Sequence, residues 1–163
     1  MTPHPIPPVW DTRSRVLILG SFPSVRSRES GFFYGHPQNR FWRVLAALWE
    51  EETPASTDEK TAFLLRHRLA LWDVIASCDI TGSADSAIRN AQPTDITPIL
   101  HGADIRCICT NGSTAAALYN KYQASAAPGI PHIKLPSTSP ANAAWTLPRL
   151  TEQWQIVRKM ADQ

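Results

Sequence analysis

The strongest constraint on this chain is a run of four apolar residues, Val16-Leu17-Ile18-Leu19, that stops at Gly20. Successive strand residues face opposite sides of a sheet, so an unbroken apolar run means that both faces are covered. That is the pattern of an inner strand of a parallel sheet. Similar candidates follow at Leu69–Ile75, Ile105–Thr110 and His132–Leu135. Helical patterns stand between them. Arg40–Trp49 has apolar residues at helical spacing, and Asp58–His67 reads as a second helix. Thr94 caps a short helix ending at Leu100, and Ser113 caps one that runs to Tyr122. Leu147–Met160 closes the chain, with Pro148 in its first turn.

The alternation of strand and helix predicts an α/β fold, a single three-layer α/β/α domain with a central four-stranded parallel sheet. The domain is expected to span residues 1–163. Residues 1–10, with four prolines, read as an extended proline-rich arm. In such sheets ligands sit beyond the carboxyl ends of the strands. The segments there are residues 20–39, the polar loop 77–93 (SCDITGSADSAIRNAQP), Thr110-Asn111-Gly112-Ser113, and Pro136–Asn142 (PSTSPAN). The first is long for a small domain and therefore a functional candidate.

Composition narrows the partners. At 43% apolar and 18% charged residues, the chain has the balance of a folded globular protein. No stretch of about 18 apolar residues could span a bilayer, and the proline-broken start lacks a signal-peptide core, so a cytoplasmic, membrane-free protein is expected. Cys107 and Cys109 are two apart on a strand, hence on one face, and read as buried free thiols. No set of cysteines or histidines has metal-ligand spacing, so no metal is expected. GxGxxG, GxxxxGK[ST] and GxSxG are all missing, which leaves no cofactor to infer. Net charge is only +2, but from Arg13 to Arg43 there are six arginines against one acid, Glu29. Such a local excess suits a polyanion, or else a solvated arginine-rich face.

Gly20 to Trp42 reads GSFPSVRSRESGFFYGHPQNRFW. It resembles the mismatch-specific uracil/thymine-DNA glycosylases of the uracil-DNA glycosylase superfamily, with their G-I-N-P-G motif and HPxNRFW block. Gly20, Pro23, Gly31, Phe32, His36, Pro37, Asn39, Arg40, Phe41 and Trp42 fall in that register. Pro136–Asn142 resembles the superfamily's second motif, after the last strand. Two positions depart from it. Phe22 stands where relatives carry Asp or Asn, and Leu135 where many carry His or Asn. With PQNRFW and LPSTSPAN retained, that combination resembles the hypoxanthine-DNA glycosylase branch, in which the asparagine of the block carries catalysis. Here that asparagine is Asn39.

The resemblance implies a monofunctional glycosylase that removes a deaminated base, most simply hypoxanthine, from DNA after flipping it out of the stack. Tyr34 would stack on the base, and Gly20, Ser21, Phe22 and Asn111 would line its pocket. Ser24, Ser137, Thr138, Ser139 and Pro140 would meet the DNA backbone and minor groove. Each residue also has a plainer reading. Asn39 precedes a helix it can cap, Asn111-Gly112 is a turn pair, and Tyr34 can pack in a loop. Asp73 and Asp79 are either pocket groups or caps. No lysine lies in either motif loop, and Lys134 is inside a strand, so no Schiff-base step is expected. A monomer is the default. The alternatives are a uracil or mismatched-thymine glycosylase, or a lesion-binding module without catalysis.

Overall fold

In the computed structural model, which describes residues 1–163, β2 (Val16–Gly20) is wholly buried because it lies inside a sheet with helices on both sides. It pairs in parallel with β3 (Leu69–Asp73) on one edge and β6 (Cys107–Asn111) on the other, and β6 pairs in parallel with β7 (His132–Leu135). The order is β3-β2-β6-β7, the expected four-stranded parallel sheet. The pleat divides β2 between two cores. Val16 and Ile18 join Phe41, Leu45, Phe63 and Trp154 on the side of α2 (Phe41–Leu48), α3 (Thr57–Arg66), α6 (Leu147–Gln153) and α7 (Gln155–Ala161). Leu17 and Leu19 join Ile99, Ile108 and Tyr119 on the side of α4 (Thr97–Gly102) and α5 (Ser113–Tyr122). Each fully buried aliphatic side chain of this kind contributes about 1.5–3 kcal/mol. Cys107 and Cys109 share one face as buried free thiols, their Sγ atoms 3.7 Å apart. No helix is long and apolar enough to cross a membrane.

Several local expectations change. The proline-rich arm is packed rather than merely extended. Thr2–Pro3 forms β1, antiparallel to β4 (Ile75–Asp79), Ile6 is only 2% exposed, and Val9 bridges Leu71. The arm thereby covers the free edge of β3. The strand expected at Leu69–Ile75 breaks after Asp73, and the polar stretch beyond it is a bulged antiparallel hairpin of β4 and β5 (Arg89–Pro93). Ile75 and Cys78 are buried but most of β5 is exposed and the residues alternate poorly, so periodicity does not mark it. The first long loop contains a short helix, α1 (Val25–Ser30), which the Ser24 hydroxyl caps through Ser27 N–H.

Two helix starts and one helix body also move. Thr94 does not cap α4, because its buried hydroxyl donates to the Asp73 carbonyl at 2.8 Å. Ser113 opens α5 instead of capping it, since Gly112 at φ 97° makes the turn from β6. The closing helix divides into α6 and α7 at Trp154, whose buried indole donates to the Pro136 carbonyl at 3.0 Å.

Candidate active site

The parallel strands bring Gly20, Asp73 and Asn111 to one rim, Gly20 directly opposite Asp73 in the β2–β3 ladder. A Cβ on Gly20 would collide with Asp73 Oδ1 and with Tyr34 Oη, so only glycine admits both polar groups to this corner. Asp73 is 3% exposed. Its Oδ2 accepts from His4 Nε2 at 2.7 Å, which brings the arm into the site.

Tyr34 reaches the same corner from the first loop at φ 53°, a left-handed conformation that non-glycine residues seldom adopt. One face of its ring stacks on Phe41, centroids 4.0 Å apart and planes at 17°. The hydroxyl is buried without a hydrogen-bond partner. Burial first, then the charge of Asp73, pushes the phenol far above its ordinary value, with only the neighbouring Asn111 amide acting the other way. The hydroxyl therefore stays protonated and available as a donor. Phe22 packs with Ile75 and Cys78 and presents its ring to the edge of His4 at 5.8 Å. Ser21 turns away from Tyr34 in its bonding, its hydroxyl donating to Asp85 Oδ1 at 2.6 Å.

A second set of contacts ties the first loop to the last. Asn39 Oδ1 accepts from Phe41 N–H at 2.9 Å and so closes the first turn of α2, while its Nδ2 makes no bond within the protein. Asn39 is half-buried beside Arg40, whose N–H donates to the Thr138 carbonyl at 3.1 Å. The Arg40 guanidinium donates to the carbonyls of Ser139 (2.9 Å), Asn142 (3.1 Å) and Trp145. Asn111 meets Thr138 twice. Its Nδ2 donates to Thr138 Oγ1 at 3.0 Å, and its Oδ1 accepts from Thr138 N–H at 3.1 Å. The rims of β2 and β7, separated by β6, are thus joined through their loops.

These contacts place each expected residue. Gly20 and Tyr34 lie together at the corner, and Phe22 packs against His4, the partner of Asp73. The Asn111 amide has its oxygen and one N–H on Thr138, leaving a single N–H unbonded. Thr138 is fully buried and shapes the loop from inside. Ser137 and Ser139 accept backbone N–H groups of Ser139 and Ala141 through their hydroxyls, and Ser24 does so for α1. Pro140 is exposed at the loop tip.

The six arginines do not make one patch. Arg13 and Arg15 precede β2, at the opposite end of the strand from the rim, and Arg15 bonds the Gln163 carbonyl. Arg28 donates to the Gly82 carbonyl at 2.7 Å, and Arg40 is taken up by the loop. Arg26 and Arg43 remain exposed.

Sequence reasoning left His4 in the arm and missed Arg40 as an organiser. No local pattern marks His4, because its partner is 69 residues away. Arg40 had a signal in its fixed place in the HPQNRFW block, which a tally of surface charge hides.

Comparison with known proteins accords with this architecture. The family model for the uracil DNA glycosylase superfamily matches residues 7–161. A hypoxanthine DNA glycosylase from Methanosarcina acetivorans is 33% identical over 153 residues, 93% of this chain and 94% of the relative. Another from Methanosarcina barkeri is 34% identical over 87 residues, 53% of this chain and 55% of the relative. The solution NMR structure of a Methanosarcina acetivorans protein described as a candidate uracil DNA glycosylase superposes with a TM-score of 0.84 at 30% identity, covering 100% of both chains. With the match running across both motif loops and every strand of the parallel sheet, this chain belongs to the uracil DNA glycosylase superfamily.

Proposed function

We propose that the chain is a monofunctional DNA glycosylase that releases hypoxanthine from deoxyinosine, working as a single-domain monomer in the cytoplasm or nucleoid. One observation carries the reading beyond family membership. The two positions where many relatives hold polar groups are the buried Phe22 and Leu135, while Asn39, just before α2, keeps an amide N–H₂ with no bond within the protein. The resemblance to the hypoxanthine branch predicts this combination, and the 33% identical Methanosarcina acetivorans relative bears that name.

The chemistry suits such a site. Water adds its oxygen to C1′ of the sugar as the C1′–N9 bond breaks, and the bonding pair leaves on the base. Proton uptake by the base and loss by the attacking water complete the hydrolysis to free hypoxanthine and an abasic sugar. The hypoxanthine carbonyl spreads the departing negative charge, so orientation and electrostatics can replace a strong general base. Asn39 Nδ2 is the group assigned to the reacting sugar or water. Tyr34, backed by the buried Phe41, is assigned as the aromatic floor, which accepts any base. Ser24, Ser137 and Ser139 with the exposed Pro140 form the surface assigned to the DNA strand.

Oligonucleotides carrying one deoxyinosine or one deoxyuridine test the assignment. Deoxyinosine is expected to be cut and deoxyuridine spared. Cutting of uracil would favour a uracil glycosylase, and tight binding without cleavage of either would favour a lesion-binding module. Because few of the arginines are free at the rim, duplex affinity should fall only moderately with salt. With about two or three phosphates neutralised, log affinity against log salt should slope at about −2 to −3. Fluorescence anisotropy across a salt series reads that slope, and a flat response would remove DNA as the partner.

A further inference from the structure

We propose, building on the glycosylase reading, that His4 is a positioning residue of this site. The arm's imidazole holds the Asp73 carboxylate so that its free oxygen serves as the acceptor for an N–H of the extruded base. The pair is nearly sealed, with side chains 4% and 5% exposed. A carboxylate at that depth needs hydrogen-bond partners, and His4 Nε2 is the one side chain that bonds it, at 2.7 Å. The direction of that bond is fixed from the other side of the ring. Ile6 N–H donates to His4 Nδ1 at 3.1 Å, so Nδ1 is an acceptor and the ring proton sits on Nε2, facing Asp73.

The imidazole cannot swing away. Phe22, Phe33 and Trp72 surround it with ring centroids 5.8, 6.0 and 6.4 Å distant, and His4 N–H bonds the Ala76 carbonyl at 2.7 Å. All of this orients Oδ2. The fold makes no use of Oδ1, which has no hydrogen bond and abuts the Gly20–Tyr34 corner. A carboxylate oxygen only accepts. Deamination of adenine converts a bare ring nitrogen, N1, into an N–H beside a new carbonyl. An acceptor facing N1 therefore favours the deaminated base, whose N1–H it can bind, and repels the bare N1 of adenine. The buried Tyr34 hydroxyl, a donor without a partner, stands in the same corner for a carbonyl oxygen.

The test uses the full chain and His4→Ala, His4→Gln and Asp73→Asn, each checked by thermal melting. Single-turnover release from a deoxyinosine duplex is expected to slow about 10- to 100-fold in His4→Ala, the range for loss of one hydrogen bond to a charged group. Duplex affinity should be nearly unchanged. His4→Gln, which keeps an N–H donor, should recover most of the rate, and Asp73→Asn should be as slow as His4→Ala. A folded His4→Ala cutting at the parent rate would overturn the proposal. So would a His4→Gln as slow as His4→Ala, because the role would then be packing alone. If His4→Ala does not fold, the His4→Gln and Asp73→Asn pair decides. If the parent cuts no lesion, the glycosylase reading fails. The binding preference for deoxyinosine over deoxyadenosine, kept in His4→Gln and lost in Asp73→Asn, then decides this inference separately.

Discussion

Asn39→Ala should all but abolish base release, by about 10²–10³-fold, the cost of removing one preorganised polar group from a charge-developing centre. The structure separates this from a folding defect. Asn39 Oδ1 bonds Phe41 N–H, so alanine also removes a cap-like contact worth about 1 kcal/mol. That loss lowers the denaturation midpoint slightly and leaves the fold standing. Asn39→Asp sharpens the experiment. Aspartate retains an oxygen for Phe41 N–H but has no Nδ2 hydrogens. If Nδ2 acts on the sugar or water, Asn39→Asp is nearly as stable as the parent and nearly as inactive as alanine. An active Asn39→Asp would reduce Asn39 to a helix cap. DNA affinity, measured alongside, should change little, because the serines assigned to the DNA strand are untouched.

Arg40→Ala should be the most destabilising rim substitution, at about 3–5 kcal/mol, because it strips charge-assisted donors from several carbonyls at once. The guanidinium reaches Ser139, Asn142 and Trp145, and although the first two carbonyls also accept from Asn142 N–H and Trp145 N–H, no other side chain ties these turns to α2. Urea denaturation reads the global loss. Hydrogen exchange reads the local one, as faster exchange across residues 136–145 in protein that is still folded. Lysine keeps the charge but lacks the planar fork that spans three acceptors, so Arg40→Lys should recover only a minor part. Glycosylase activity should fall with loop order in both variants. An Arg40→Ala protein as stable as the parent would show that Trp154 and Asn111 suffice to hold the loop.

The parallel sheet was readable because its signal is local. Val16–Leu19 is apolar on both faces, and helices stand between successive parallel strands. The hairpin of β4 and β5 was not. Ser77, Asp79, Arg89 and Gln92 pair through backbone groups with little help from side-chain periodicity, and register shifts break the pattern further. Much of the rim was legible for a different reason. Gly20, Tyr34 and Asn39 belong to motif blocks whose order resembles a known family. Asn111 shows where such reading stops. The side chain assigned to a base edge is committed largely to Thr138, a partner 27 residues away. His4 and Arg40 are the extreme cases, since their roles exist only once distant segments meet. The arm read only as extended because prolines announce an extended backbone and give no hint of what it docks against.

The indole of Trp154 fixes the last loop through the Pro136 carbonyl, and Arg158 donates to the Leu48 carbonyl at 2.6 Å. Activity should therefore appear abruptly during biosynthesis. A nascent polypeptide halted before Trp154 has all four parallel strands and Asn39, yet its Pro136–Asn142 segment lacks the indole anchor beneath it. Translation must pass Trp154 before the loop gains the anchor that holds it in place.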